Sequence, residues 1–384
     1  PHAAVGRAGT SAGTNPHNSN VKIKRRRYNA GSGTVWFPPK RGLNVHRAYY
    51  CLLTVALLTV MARTLPVDAE NAPSSAEITP ATHPALVIKG DRASHYPNGR
   101  PAAFRGFADP CMRRDPVTGQ LWLAYSWPHM KHMGGDRRDF VVGIETHLAT
   151  STDGGKTWEL VKTLWPRTPV KWASRITQQR EPGFLSHEVP NILPCTIDDK
   201  PAWVGVHADY FLSREGNYKG RDSRSFCIRL RTAPSPIKLS DAPQVTFGHA
   251  RSSPDCKTDI NLCDLARDFP PVFIPTEPAL HFRNGRLYFA VVCMAFRDRD
   301  TPDFARSFVA LLSTTPSGPV DQWKWRYHGK LAGRKEAAEL GGEALTQTEF
   351  ALDRGGQLLV FLSPARWNAE AAREFGDAFG GIKL

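Results

Sequence analysis

One unit recurs along this chain: a carboxylate, a short strand, a tight turn and a second apolar strand. It begins at Asp109-Pro110, again at Glu188-Val189-Pro190, at Glu277-Pro278 and at Glu349-Phe350. The turns are Asp115-Pro116-Val117-Thr118-Gly119, Asp198-Asp199-Lys200-Pro201, Arg283-Asn284-Gly285-Arg286 and Asp353-Arg354-Gly355-Gly356. Each is followed by an aromatic and β-branched run such as Leu121-Trp122-Leu123-Ala124-Tyr125 or Leu287-Tyr288-Phe289-Ala290-Val291. Such runs, bounded by turn residues, read as strands. The starting acids fall at intervals of 72 to 89 residues, and each of these three intervals holds room for a third strand and more. Repetition at this scale predicts an array of like sheets, each unable to bury its faces alone.

Between the first and second units lies Ser151-Thr152-Asp153-Gly154-Gly155-Lys156-Thr157-Trp158, flanked by alternating segments at 146–150 and 159–164. It reads as a hairpin turn. Asp153 is placed to accept backbone hydrogen bonds, the glycines can take positive φ, and Trp158 offers an apolar face to close the hairpin. A second, degenerate version is legible from Thr314 through Gly318 to Trp323. Pro and Gly, 31 each, suit a turn-rich all-β chain, and 10 Trp with 19 Phe supply a large core.

The net charge of +14 resides mostly outside the repeats. Residues 1–69 hold ten Lys or Arg and one acid, so residues 70–384 carry only +5. A mildly basic domain makes no case for nucleic acid. Residues 1–46, with Lys24-Arg25-Arg26-Arg27, read as a disordered or non-native basic leader. The apolar run Tyr49–Ala62 after Arg47, with Val67-Asp68-Ala69 beyond it, reads as a signal peptide over 47–69. The run is too short to span a bilayer comfortably. Since the first Met is Met61, the chain is expected to be a fragment or to extend upstream of a start such as Val45. The expectation is an exported protein, secreted or periplasmic, with its folded domain at 70–384 and no membrane attachment after processing.

Loss of Cys51 with the signal leaves six cysteines. Cys256 and Cys263, bracketing a polar loop, are the expected disulfide, with Cys111, Cys195, Cys227 and Cys293 as buried thiols. His129, His132 and Asp136 sit in what reads as an exposed loop, so neither a metal nor a cofactor is expected.

The pattern Ser151, Asp153, Gly155, Thr157, Trp158 resembles the Asp box of the sialidase superfamily, which joins the third and fourth strands of a propeller blade. The resemblance covers residues 85–384 and implies an all-β propeller of four-stranded blades. Six blades are expected by analogy with sialidases and five by analogy with furanosidase and arabinanase propellers. Four units can be counted, so the ring is expected to be incomplete at the C-terminus. Phe104-Arg105 resembles half of the sialidase aromatic-Arg motif, in which the Arg binds the substrate's carboxylate. Asp109-Pro110 and Glu277-Pro278 are similar to the five-bladed glycosidases. That likeness implies Asp109 as base, Glu277 as acid and Glu188 as an orienting or pKa-setting partner. Acids at equivalent positions of inner strands would converge at one end of the channel, which suits the two-carboxylate chemistry of glycoside hydrolysis.

Glu349, Tyr210 and Trp127 are the further candidates for substrate contact, the aromatics by stacking on a sugar. The expected function is a sialidase-like exo-glycosidase acting on glycans that end in an acidic sugar. The alternatives are a five-bladed furanosidase-like enzyme and a non-catalytic propeller that binds glycan or protein.

Overall fold

The computed structural model describes residues 86–92, 107–131, 140–173, 179–213, 226–249, 255–297, 302–352, 358–367 and 382–383. Residues 1–85 lie outside this set, so the leader, the signal segment and the cleavage site have no structural counterpart here. Arg105, His132 and Asp136 also lie outside it.

The described residues form antiparallel meanders. The first sheet comprises β1 (Ile88–Lys89), β2 (Ala108–Arg114), β3 (Leu121–Lys131), β4 (Phe140–Ser151) and β5 (Trp158–Trp165). In it β2 to β5 follow one another across the sheet and β1 adds in parallel to the outer edge of β5. The second comprises β6 (Thr168–Ala173), β7 (Arg180–Ile197), β8 (Lys200–Ser213), β9 (Cys227–Ala233), β10 (Gln244–Gly248) and β11 (Ile260–Asn261), in that order across the sheet. The third holds β12 (Phe273–Arg283), β13 (Arg286–Ala295), β14 (Phe308–Thr314) and β15 (Arg326–Ala332). The fourth holds β16 (Ala344–Leu352), β17 (Leu358–Trp367) and β18 (Ile382–Lys383). This is the architecture of propeller blades, nearly all β. One short helix, α1 (Arg334–Glu339), links the third sheet to the fourth.

Successive sheets stack face to face because their strands are apolar on both sides. Trp122, Ala124, Leu148 and Leu164 of the first pack on Ile192, Trp203 and Ala233 of the second and on Leu239 in the turn between β9 and β10. On the opposite face of the second sheet, Val204, Val206, Ile228 and Leu230 meet Leu280, Leu287, Phe289 and Val291 of the third. Ala279, Ala290 and Val292 meet Leu345 and Phe350 of the fourth. Cys111 adds a polar tie across the first seam, its Sγ lying 3.5 Å from the Ile192 carbonyl and 3.3 Å from the Ile192 amide nitrogen.

The hairpin at 151–158 joins β4 to β5, and its hydrogen bonds differ from a simple Asx-turn. Asp153 reaches four residues ahead, where its Oδ1 accepts from the Thr157 amide (2.9 Å) and its Oδ2 from the Thr157 hydroxyl (2.6 Å). Ser151 Oγ donates to Asp153 Oδ1 and accepts from the Gly155 amide. Gly154 and Gly155 sit at φ 77° and 94°, where a Cβ would be strained. Trp158 Nε1 donates to the Gly155 carbonyl at 3.0 Å. The degenerate turn repeats that last bond, Trp323 Nε1 to the Gly318 carbonyl at 3.2 Å. There the carboxylate comes from the neighbouring sheet. Asp198 accepts from Ser317 Oγ and from the Gly318 amide.

The disulfide corrects the sequence expectation. Cys256 bonds to Cys227, not Cys263. The segment 255–259 folds back on β10, where Thr246 and Asp259 exchange hydrogen bonds, and this lays Cys256 over β9. Cys263 lies in the short helical turn Leu262–Leu265 and packs against the core between the second and third sheets.

Candidate active site

The acids do not sit at strand starts. Asp109 and Glu277 lie in bulges of β2 and β12, and Glu188 borders the corresponding bulge of β7. The ladder between β2 and β3 skips from Ala108 to Cys111, that between β7 and β8 from Glu188 to Asn191, and that between β12 and β13 from Thr276 to Ala279. The residues thrown out of the ladder are Asp109-Pro110, Val189-Pro190 and Glu277-Pro278. Proline explains the break, because it cannot donate to a ladder. Asp109, Val189 and Glu277 have φ of 50°, 52° and 50°. A residue before proline ordinarily stays extended, so these are costly conformations, on the order of 1–3 kcal/mol each. Strain of this kind concentrates where a backbone must aim a side chain.

True register also corrects the repeat read from sequence. Val189, not Glu188, is the equivalent of Asp109 and Glu277, and Glu188 occupies the position of Ala108 and Thr276. In the fourth sheet the bulge falls between Leu345 and Gln347. Glu349 lies beyond it in regular ladder, opposite Phe361, and is not an equivalent acid.

The bulges open onto one pocket. Its walls are Asp109, Pro110, Val189, Pro190, Asn191, Glu277, Pro278, Gln347, Thr348, Glu349, Phe361 and Ser363, and its volume is about 260 Å³. That is below the ~300–1,000 Å³ of sites for drug-sized ligands and suits a single ring. Burial raises Glu277 well above the usual carboxylate range, with Asp109 and Glu188 adding repulsion. Burial, and then the charge of Asp109, pushes Glu188 up to about 8, against a smaller lowering by Tyr210. Asp109 is raised by burial as well, with hydrogen bonds from Ser126 and the Val189 amide working the other way. Three carboxyls thus feel one another, and their environments keep some protonated near neutral pH.

The remaining sequence candidates fall elsewhere. Tyr210 is buried, stacks on Phe226, and its hydroxyl donates to Glu188 Oε2 at 3.3 Å. It therefore supports an acid and is not a wall of the pocket. Trp127 is buried against His147, its Nε1 bonded to the Arg92 carbonyl, on the face of the first sheet turned away from the second. It offers no face to a sugar at this pocket. Glu349 does line the pocket, held by Arg113 (2.9 Å) and by Asn191 Nδ2 (2.6 Å). His129 pairs with Glu145 at 2.7 Å.

Sequence reasoning missed Arg113, Asn191, Gln347, Phe361 and Ser126. Ser126 is fully buried, and its Oγ accepts the Val189 amide at 3.0 Å beside Asp109. The one signal available was its place on an inner strand opposite the first acid.

Stability should report the cluster. Between pH 4.5, the ordinary glutamate value, and about 8, folded Glu188 keeps a proton that the unfolded chain has released. Stability from this group therefore falls as pH rises through that window and levels off above it. The melting temperature of the wild type should drop more over the window than that of Glu188→Gln. Equal slopes would contradict the coupling.

No protein-family model matches the sequence, and no curated protein matches it. Among solved structures, the chain is similar to the α-L-arabinofuranosidase of Lactobacillus brevis, with 12% identity over 72% of this chain and 77% of that one and a TM-score of 0.38. It is also similar to an endo-1,4-β-xylanase of Bacteroides thetaiotaomicron (13% identity, 73% and 75% covered, TM-score 0.39). A third is the Hadza microbial sialidase Hz136 (16% identity, 67% of this chain and 40% of that one, TM-score 0.32).

Proposed function

We propose that the chain is a glycoside hydrolase that removes a terminal sugar, with Asp109 as base, Glu277 as general acid and Glu188 setting their protonation. The observation that carries the reading is the convergence of Asp109 and Glu277, both on strained, bulged backbone, on one small pocket, with Glu188 outside its walls but close enough to couple to both. Clustering part-buried acids is costly unless the site uses their raised pKa values. A general acid must hold its proton at working pH and a base must not, and differing environments can divide one cluster between those roles. Hydrogen bonding at the 151–158 turn supports reading it as an Asp box of this superfamily, with a structural role away from the chemistry. Export through the 47–69 signal fits an enzyme acting on glycans outside the cell.

The pocket favours the furanosidase-like alternative over an acidic sugar. Asp109, Glu277 and Glu349 all line it, and among the described lining residues none is Lys or Arg. The nearby Arg113 is already paired with Glu349. A sugar carboxylate would enter against like charge, whereas the hydroxyls of a neutral sugar find carboxylate, Asn191 and Gln347 partners. Assaying sugar release from matched neutral furanosides, neutral pyranosides and sialosides tests this. Release from a neutral exo-substrate is expected. Cleavage of sialosides alone would restore the sialidase-like reading with Arg105 as its anchor, and no cleavage at all would leave a binding propeller.

A further inference from the structure

On the face of the second sheet turned toward the first, one residue before Glu188, lies a different constellation. His187 and Asp209 face each other across β7 and β8, and His207 lies two residues along β8 on the same side. His187 Nδ1 is 2.6 Å from Asp209 Oδ1, and His207 Nε2 is 3.0 Å from the same oxygen. Asp209 and His207 are fully buried and His187 is nearly so. Arg229 Nε bonds the other carboxylate oxygen, Oδ2, which holds Asp209 in a monodentate pose. Trp165 stacks on His207 with ring centroids 3.9 Å apart, and Thr146 Oγ1 donates to the His187 carbonyl, so rings and strand are both fixed.

His207 is the residue that an ion-pair reading leaves unexplained. Neither of its ring nitrogens makes a hydrogen bond of acceptable geometry, although the side chain is sealed from water. An imidazole buried in that state is a cost with no evident return. Its Nε2 nevertheless lies close to Asp209 Oδ1 and to His187, whose ligand atoms and its own are all within 4.8 Å of one another.

We propose that His187, His207 and Asp209 bind a divalent transition-metal ion, with zinc as the best fit. Two imidazole nitrogens and one carboxylate oxygen are zinc ligands. Ligand atoms of a tetrahedral zinc stand about 3.3 Å apart, given bonds of about 2.0–2.1 Å, so the contacts of His187 and His207 to Asp209 Oδ1, now 2.6 and 3.0 Å, would open by about 0.7 and about 0.3 Å. Arg229 then serves as the partner that orients the ligating carboxylate. Binding releases the proton that His187 shares with Asp209, and a water reaching the site from the His187 side completes the shell. The ion would pin β7 directly beside Glu188. The site does not depend on the glycosidase reading, since its ligands lie outside the acid pocket.

The test uses the full chain, stripped with a strong chelator and then dialysed against Zn²⁺ or Co²⁺. About one equivalent per chain should remain after removal of excess metal, with a raised melting temperature, as expected for a ligand that binds only the folded state. The Co²⁺ form should show intense tetrahedral d–d bands without thiolate charge transfer. His207→Gln should lose the retained metal while Arg229→Gln, which keeps all three ligands, retains some. Folded wild type that keeps less than about a tenth of an equivalent would overturn the site. So would a thiolate signature in the Co²⁺ form, or a His207→Gln variant that retains as much metal as wild type; the spectrum decides even if the variant fails to fold.

Discussion

Glu277→Gln is expected to lower turnover by about a hundredfold or more on glycosides with poor leaving groups, the usual scale for losing a positioned acid. On glycosides carrying a good aryl leaving group the loss should be much smaller, because such a group departs without a proton. The same substitution should leave stability unchanged or raised. Glu277 is held protonated by burial and by two neighbouring carboxyls, and the amide matches a protonated carboxyl in size and polarity. Kinetics on a leaving-group series and a melting curve measure both. An equal loss on all substrates would remove the acid role from Glu277.

Trp158→Ala is expected to cost about 3–5 kcal/mol, the range for deleting a buried large aromatic. The side chain is 5% exposed and packs with Ile88, Leu121, Leu123, Tyr125 and Ala149. Its Nε1 also closes the 151–158 turn on Gly155. The loss therefore falls on the seam that holds β1 to β5 as well as on the hairpin. Denaturant unfolding measures it, and a change below about 1 kcal/mol, typical of surface positions, would contradict this packing.

Much of this was legible in the sequence because it is local chemistry. Gly154, Gly155 and Trp158 announce their turn by residue type alone, and the runs after Gly119 and Gly285 announce strands. The acid-Pro pairs were visible too. Their conformation was not, since a positive φ at Asp109, Val189 and Glu277 runs against what a residue before proline prefers, and only the surrounding sheet imposes it. Hence the sequence pattern aligns Glu188 and Glu349 with Asp109, whereas the bulges place Val189 and Thr346 there. Partnerships between distant segments were equally out of reach. Arg113 with Glu349, Ser126 with Val189, and Cys227 with Cys256 are set by how sheets stack and loops return. Trp127 and Tyr210 went to interior packing, the commoner fate of large aromatics.

The central claim is that the clustered acids are held for chemistry and not for the fold. Asp109→Asn tests it most directly, with melting temperature and sugar release measured on the same preparation. Asparagine suits the left-handed backbone at this position at least as well as aspartate. Its amide oxygen still accepts from the Val189 amide, while the charge that repels Glu188 and Glu277 is gone. The account predicts an unchanged or higher melting temperature together with loss of turnover. A lower melting temperature, with a parent protein that releases no sugar from any substrate tried, would contradict it.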